Sequence, residues 1–195
     1  MSAGSPLWYL SRGTGVVLLV TFTLVVVLGI LTRGGRPLPG LPRFAVTALH
    51  RNAALLSVAL LGTHVGTAIA DPYVPLRIVD AVVPFTASYH PLSIGLGAVS
   101  LDLFVAVVIT SLLRGFLGRR AWKVVHLSVY AAWPIAVAHS IALGPDIRHG
   151  GLLWLALACV GVTVVAAAWR VATITGSKER TSNRRLVAAR SGGTR

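Results

Sequence analysis

The stretch "AWKVVHLSVYAAWPIAVAH", residues 121–139, decides how this chain reads. It is mostly apolar, and with the four residues after it is long enough to cross a bilayer, which takes about 20 residues. It also carries two histidines, His126 and His139, thirteen residues apart. An imidazole in hydrocarbon is costly unless something pairs with it, so its default reading is functional. What pairs with it depends on which other residues lie at the same depth.

Working outward, four more apolar runs are of spanning length. The full set is Leu7–Thr32, Phe44–Ala70, Leu92–Leu113, Ala121–Leu143 and Gly151–Ala172. Hydrophobic residues make up 55% of the 195, and charged residues only 12%, which leaves no segment able to fold as a water-soluble module. The runs lack the period-two alternation of a membrane barrel, and lipid offers backbone groups no partners, so the spans are expected to be helices. The expected fold is an all-α membrane protein, a five-transmembrane-helix bundle. The opening "MSAGSPLWYLSRGTG" has no basic stretch before its apolar run, unlike a cleavable signal. Residues 1–6 are expected as a short extracytoplasmic segment, 7–172 as the membrane domain, and 173–195 as a basic cytoplasmic tail. That tail, "GSKERTSNRRLVAARSGGTR" from Gly176, is expected to be disordered or to lie along anionic headgroups.

The formal charge of +13 is not a nucleic-acid signature, because of where it sits. Arg33, Arg36, Arg43 and Arg51 follow the first span, Arg114, Arg119, Arg120 and Lys123 follow the third, and seven more basic residues from Arg170 follow or end the fifth. The alternate connections carry only Arg77, with Asp71 and Asp80, and Arg148, with Asp146. Positive charge gathers on the cytoplasmic side, which predicts a multi-pass protein of the inner (plasma) membrane with its N-terminus outside and its C-terminus in the cytoplasm. The single cysteine, Cys159, excludes an internal disulfide, a cysteine-based zinc or iron–sulfur site, and c-type haem attachment.

The second span carries its own pair, His50 and His64, fourteen residues apart in "LHRNAALLSVALLGTH". Being two spans apart, the second and fourth helices run in the same direction. His50 and His126 therefore sit near the cytoplasmic end, and His64 and His139 near the outer end. The spacings correspond to roughly 21 and 19.5 Å of helix. Two level imidazole pairs, one per leaflet, suit the axial positions of two haems held between the second and fourth helices. Fourteen residues come within about 40° of whole turns, but thirteen leave His126 and His139 about 140° apart on an ideal helix. Pro134 lies between them, so an irregular fourth helix is expected near Pro134. Other chemistries need other arrangements. A non-haem metal site needs more ligands converging than two per level. A histidine-based metal or proton transporter remains the reading from a different class.

These residues resemble a known family, the ferric reductase-like transmembrane domain that forms the haem core of ferric reductases and NADPH oxidases, and also bacterial MsrQ/YedZ-like cytochromes. The resemblance rests on "SRGTGVVLLVTFTLVVVLGILT", "LHRNAALLSVALLGTH" and the W-x-x-x-H-x-x-x-Y of the opening stretch, and covers about residues 7–172. It implies two b-type haems, with His50 and His126 as ligands of the inner iron and His64 and His139 of the outer. It implies transmembrane electron transfer, as a ferric reductase-like oxidoreductase component or as an MsrQ-like subunit feeding a periplasmic reductase. No G-x-G-x-x-G nucleotide fingerprint follows a strand here. Electrons are therefore expected from a separate flavoprotein dehydrogenase or quinol, any flavin coming only through that partner, and to leave to an outer acceptor.

Supporting residues have two readings each. Arg51, beside His50, is a possible propionate contact, because its fork binds carboxylates bidentately. Arg119, Arg120 and Lys123 serve equally as topology-setting charges. Gly62, Gly66, Ala136 and Ala138 suit the close approach of a flat macrocycle, as they suit any helix contact. Trp122, Tyr130 and Trp133 are candidates to pack on the cofactors, with Trp122 better placed for the interfacial aromatic belt. Asp102, deep in the third span, is expected to face the interior and find a partner. His90 and His149, on the outer side, are candidates for a second site on that face, with His90 the better placed.

Overall fold

A computed structural model describes residues 5–32, 42–72, 74–144 and 150–192, with side chains as far as Thr173. Arg33, Arg36, Asp146, Arg148 and His149 lie outside the described residues. The elements are α1 (Pro6–Thr32), α2 (Arg43–Ala70), α3 (Ile78–Val82), α4 (Pro91–Leu112), α5 (Arg119–Leu127), α6 (Val129–Leu143) and α7 (Gly151–Gly192). There is no strand among the described residues. Five stretches are long and apolar enough to cross a membrane: α1, α2, α4, α5 with α6, and α7 as far as Thr173. The expected all-α, five-span architecture is the observed one.

Proline sets the starts of three spans. Pro6 and Pro91 are the first residues of α1 and α4, where a missing N–H costs nothing, and Pro42 immediately precedes α2. Hydroxyls inside the spans turn back onto their own helices. Thr23 donates to the Leu19 carbonyl at 2.7 Å, Ser57 to Ala53 at 2.9 Å and Thr163 to Cys159 at 2.9 Å. Such bonds satisfy polar groups where water is absent.

Helix α1 is the hub, packed along α2 and also against α6 and α7, while α4 packs on α6 and α5. The core joins Phe22 and Val26 of α1, Phe104 of α4, Ala132, Trp133 and Val137 of α6, and Ala156 and Cys159 of α7. Phe22 and Phe104 meet edge to face at 5.2 Å. Two interhelical hydrogen bonds cross this core: Ser100 Oγ to the Ala132 carbonyl and Trp133 Nε1 to Thr23 Oγ1, both 3.0 Å. Trp133 is thus committed to the bundle core, and Tyr130 packs against its edge. Ala132 is fully buried, the small residue that lets α4 and α6 close on each other.

The fourth span is irregular, but the break is at Ser128 and not at Pro134, which lies inside α6. The proline ring excludes the Tyr130 carbonyl from its normal bond. One turn earlier the backbone tightens: Ser128 N–H donates to the Val125 carbonyl at 3.0 Å, and its hydroxyl donates to the same oxygen at 2.7 Å. The span is thus split into α5 and α6 between His126 and His139. Helix α7 continues beyond the apolar span to Gly192, through the basic segment expected as a tail. Its Glu, Arg, Leu and Ala residues are good helix formers.

The connection between α2 and α4, which no sequence pattern marked as helical, contains α3. Asp80, 2% exposed, organises it. Its carboxylate accepts from Arg77 Nη2 at 2.8 Å, the Arg77 backbone N–H at 2.9 Å and the Thr86 hydroxyl at 3.0 Å. The Arg77 side-chain bond first, then the backbone N–H, hold this carboxyl well below the usual carboxylate range. Phe85, with φ of 67°, lays its ring over Gly95 and pins the connection to α4. A depressed carboxylate pKa stabilises the fold above the unfolded value, about 3.9, and that contribution disappears as pH falls toward the lower folded value. Amide exchange over residues 77–86 is therefore expected to stay slow from neutral pH to about pH 4, after correction for intrinsic exchange, and to accelerate in stronger acid. D80N should exchange faster at neutral pH and lose that acid step.

Candidate functional site

Helices α2 and α5–α6 stand apart across the bundle, without substantial direct packing. The histidines reach across this separation in two pairs. His50 and His126 have ring centroids 6.5 Å apart with planes at 57°, and His64 and His139 are also 6.5 Å apart, at 84°. All four sequence-predicted residues are thus brought together in the expected pairs, with the helix broken at Ser128 between His126 and His139. Fourteen residues of α2 place the two pairs roughly 21 Å apart along the helix.

The separation within each pair is informative. Two imidazoles bound on opposite sides of one metal ion, each at about 2.0–2.1 Å, would have ring centres about 6.3 Å apart. A pair in direct hydrogen-bond contact would be closer. Among the described residues no three His, Cys, Asp or Glu side chains gather to hold a metal ion, and each level brings two imidazoles together.

The other ring nitrogen of each imidazole is already engaged. His64 Nδ1 lies 2.8 Å from the Ser11 carbonyl, His139 Nδ1 2.7 Å from the Ser93 carbonyl and His50 Nδ1 3.1 Å from the Val25 carbonyl. A carbonyl only accepts, so Nδ1 carries the proton in these three and the lone pair is left on Nε2. This is the usual outer arrangement of a metal-ligating histidine. His126 Nδ1 instead faces the Ser111 hydroxyl at 3.4 Å.

Glycines make these approaches fit. A Cβ on Gly97 would come within 2.6 Å of the His139 ring, one on Gly15 within 3.0 Å of His64, and one on Gly29 within 3.6 Å of His50. These are not the small residues singled out from the sequence. Gly62 and Gly66 face open space. The signal lay in spacing: Gly15 and Gly29 are fourteen residues apart, as are the histidines they face.

Trp122, expected either to pack at the site or to join the interfacial belt, lies against a paired histidine. Its indole stacks on His126 at 4.9 Å and 25°, and the Arg114 guanidinium covers its ring at 4.8 Å. The indole Nε1–H is buried without a hydrogen-bond partner. A buried donor beside a paired histidine is the group an acidic substituent of a bound macrocycle would satisfy.

Other candidates fall outside the pairs. Arg51 is exposed and lines a shallow groove on α2 with Arg43, Phe44 and Thr47. Arg119, Arg120 and Lys123 are exposed at the start of α5. Asp102 does not face the interior: it lies on the exposed face of α4 with Val105 and Ile109. Five residues from Gly97 turn it about 140° away from the histidines. His90 caps α4 from a left-handed conformation, φ 40°, exposed and edge-on to Tyr89 at 4.4 Å, so the second outer site gains no further ligand among the described residues.

The site thus presents two imidazole pairs in series along the bundle. Compared with known families, residues 14–137 match the model described as "Ferric reductase like transmembrane component". The match takes in His50, His64 and His126 and stops two residues short of His139. No curated protein matches the chain.

Proposed function

Because the chain belongs to the ferric reductase-like transmembrane family, we propose that it is a two-haem b-type cytochrome whose histidine pairs carry electrons across the membrane. Membership itself makes the chain a multi-pass membrane protein with a transmembrane oxidoreductase role. The finer reading is supported above all by one observation: two histidine pairs with a 6.5 Å ring separation, three of the four rings donating Nδ1–H to a backbone carbonyl. His50 and His126 hold the haem at the basic end, and His64 and His139 the haem at the other. Gly15, Gly29 and Gly97 keep the ligand rings close to their helices, and Trp122 offers its free N–H to a propionate of the first haem.

Haem held by His50 with His126, and by His64 with His139, would supply electron exchange at each level. The distribution of basic residues supports a cytoplasmic His50/His126 end with the N-terminus outside, and the proposed location is the plasma membrane. A separate flavoprotein dehydrogenase or quinol reduces the cytoplasmic side, and an outer acceptor such as ferric iron or a periplasmic reductase, as in an MsrQ-like pair, takes the electron. A histidine-based transporter is less well served, because relay histidines do not require two pairs held at a metal-spanning separation.

The test is optical. Protein purified from membranes is expected to be red, with a Soret band, a dithionite-sharpened α-band of b type, and about two haems per chain by pyridine haemochrome. Colourless protein from haem-replete cells would overturn the reading, and zinc binding by such protein would move it to transport.

A further inference from the structure

Asp102 is the one acidic residue deep within an apolar span, and it stands at the middle of α4, the twelfth of 22 residues. Either end of the helix is roughly 15 Å away, beyond the reach of so short a side chain. Its direction is defined by what the rest of α4 touches. Ser100 bonds the Ala132 carbonyl of α6, Phe104 meets Phe22 of α1, and Gly97 faces His139. On the helical pitch these positions point about 140–160° away from Asp102. Gly95, seven residues before Asp102, points nearly the same way, and there the Phe85 ring covers the helix. Past Asp102 that cover ends, with Val105 41% and Ile109 48% exposed. Asp102 itself is exposed, and among the described residues no hydrogen bond or ion pair reaches it.

A carboxyl within a span almost always finds a partner, and alone in hydrocarbon the ionised form is far costlier than the neutral acid. The neutral acid has an O–H donor and remaining acceptor capacity, so two such groups satisfy each other. No other part of the described chain complements it at this depth, because the basic residues of the spans, such as Arg12, Arg51, Lys123 and Arg170, lie toward span ends. We propose that the Asp102 face of α4 is a contact between two copies of this chain, related by a two-fold axis along the membrane normal. Such an axis brings the same patch of both copies together and sets the two carboxyls at equal depth, each donating to the other. Ala106, one turn from Asp102, is small enough to let the helices approach. The contact requires no cofactor and goes beyond the two-haem reading.

Cysteine cross-linking of the full chain in its native membrane reads this contact. The native thiol, Cys159, is buried in α7 and provides the background. Oxidation with copper phenanthroline is expected to link V105C and I109C into dimers. L55C on α2 and V164C on α7, whose native residues are 60% and 59% exposed, should stay monomeric. D102V should weaken dimerisation about 5–30-fold, the loss expected for an interhelical hydrogen bond in a membrane. D102N, whose amide keeps both donor and acceptor, should retain it. Energy transfer between labelled copies diluted into phosphatidylcholine vesicles gives the association constants, and circular dichroism checks that both variants are folded. Cross-links confined to the α4 positions, lost in D102V and kept in D102N, support the contact. Cross-linking at all four positions alike, monomers at every lipid dilution, or dimers indifferent to D102V overturn it. A different membrane subunit occupying this face in place of the second copy would overturn it as well.

Discussion

Alanine in place of His64 or His139 is expected to remove one haem and leave the other, so that haem per chain falls from about two to about one. Alanine in place of His50 or His126 should remove the opposite member. The separation of the pairs, roughly 21 Å along α2, is what makes the losses independent. The outer arrangement also stays local: His64 depends on Ser11, whereas His50 depends on Val25. In redox titration each variant should show a single component, and H64A and H139A should share it. Loss of both haems in all four variants with the bundle still folded would contradict two separate sites.

The second large effect comes from a glycine on the helix that His139 faces. Gly97→Ala would put a methyl group 2.6 Å from the His139 ring, a distance at which something must shift. The ring cannot simply swing away without giving up its 2.7 Å bond to the Ser93 carbonyl. G97A is therefore expected to reduce retention of the His64/His139 haem nearly as severely as H139A. Overpacking of this kind costs about 1–3 kcal/mol. The glycines form an internal series. G15A, with its methyl group 3.0 Å from His64, should have an intermediate effect on the same haem, and G29A, at 3.6 Å from His50, should be close to neutral. Haem-to-protein absorbance ratios across the three variants check the order. An effect of G29A as large as that of G97A would show that the methyl groups act through general helix packing.

Much of this was legible in the sequence, for reasons that differ residue by residue. The spans were readable because lipid imposes a length and a composition. The histidine pairing was readable because equal spacing on co-directional helices places groups at equal depth. The break at Ser128 was half readable. Pro134 announced an irregularity, but its location depended on a serine able to bond Val125 with both its N–H and its hydroxyl. The glycines Gly15, Gly29 and Gly97 went unnoticed because attention fell on small residues beside the histidines in sequence. The residues that matter lie on the neighbouring helix, where the fourteen-residue spacing marks Gly15 and Gly29 but nothing marks Gly97. Asp102 was misplaced for a related reason: composition marks a carboxylate within a span, but only the phase of α4 decides which way it faces.

The described hydrogen bonds to the four rings stay within hairpins. His50 and His64 lean on α1, while His126 and His139 lean on α4. Each half thus carries its own templates before meeting the other, which has a consequence for biogenesis. The first two spans can emerge from the insertion machinery with two imidazoles already aimed, waiting for a counterpart. The later spans then arrive with theirs, and capture of the cofactors becomes the closing step of assembly. On this account a cell short of haem would accumulate inserted but unclasped chains, vulnerable to membrane proteases along the seam between α2 and α6.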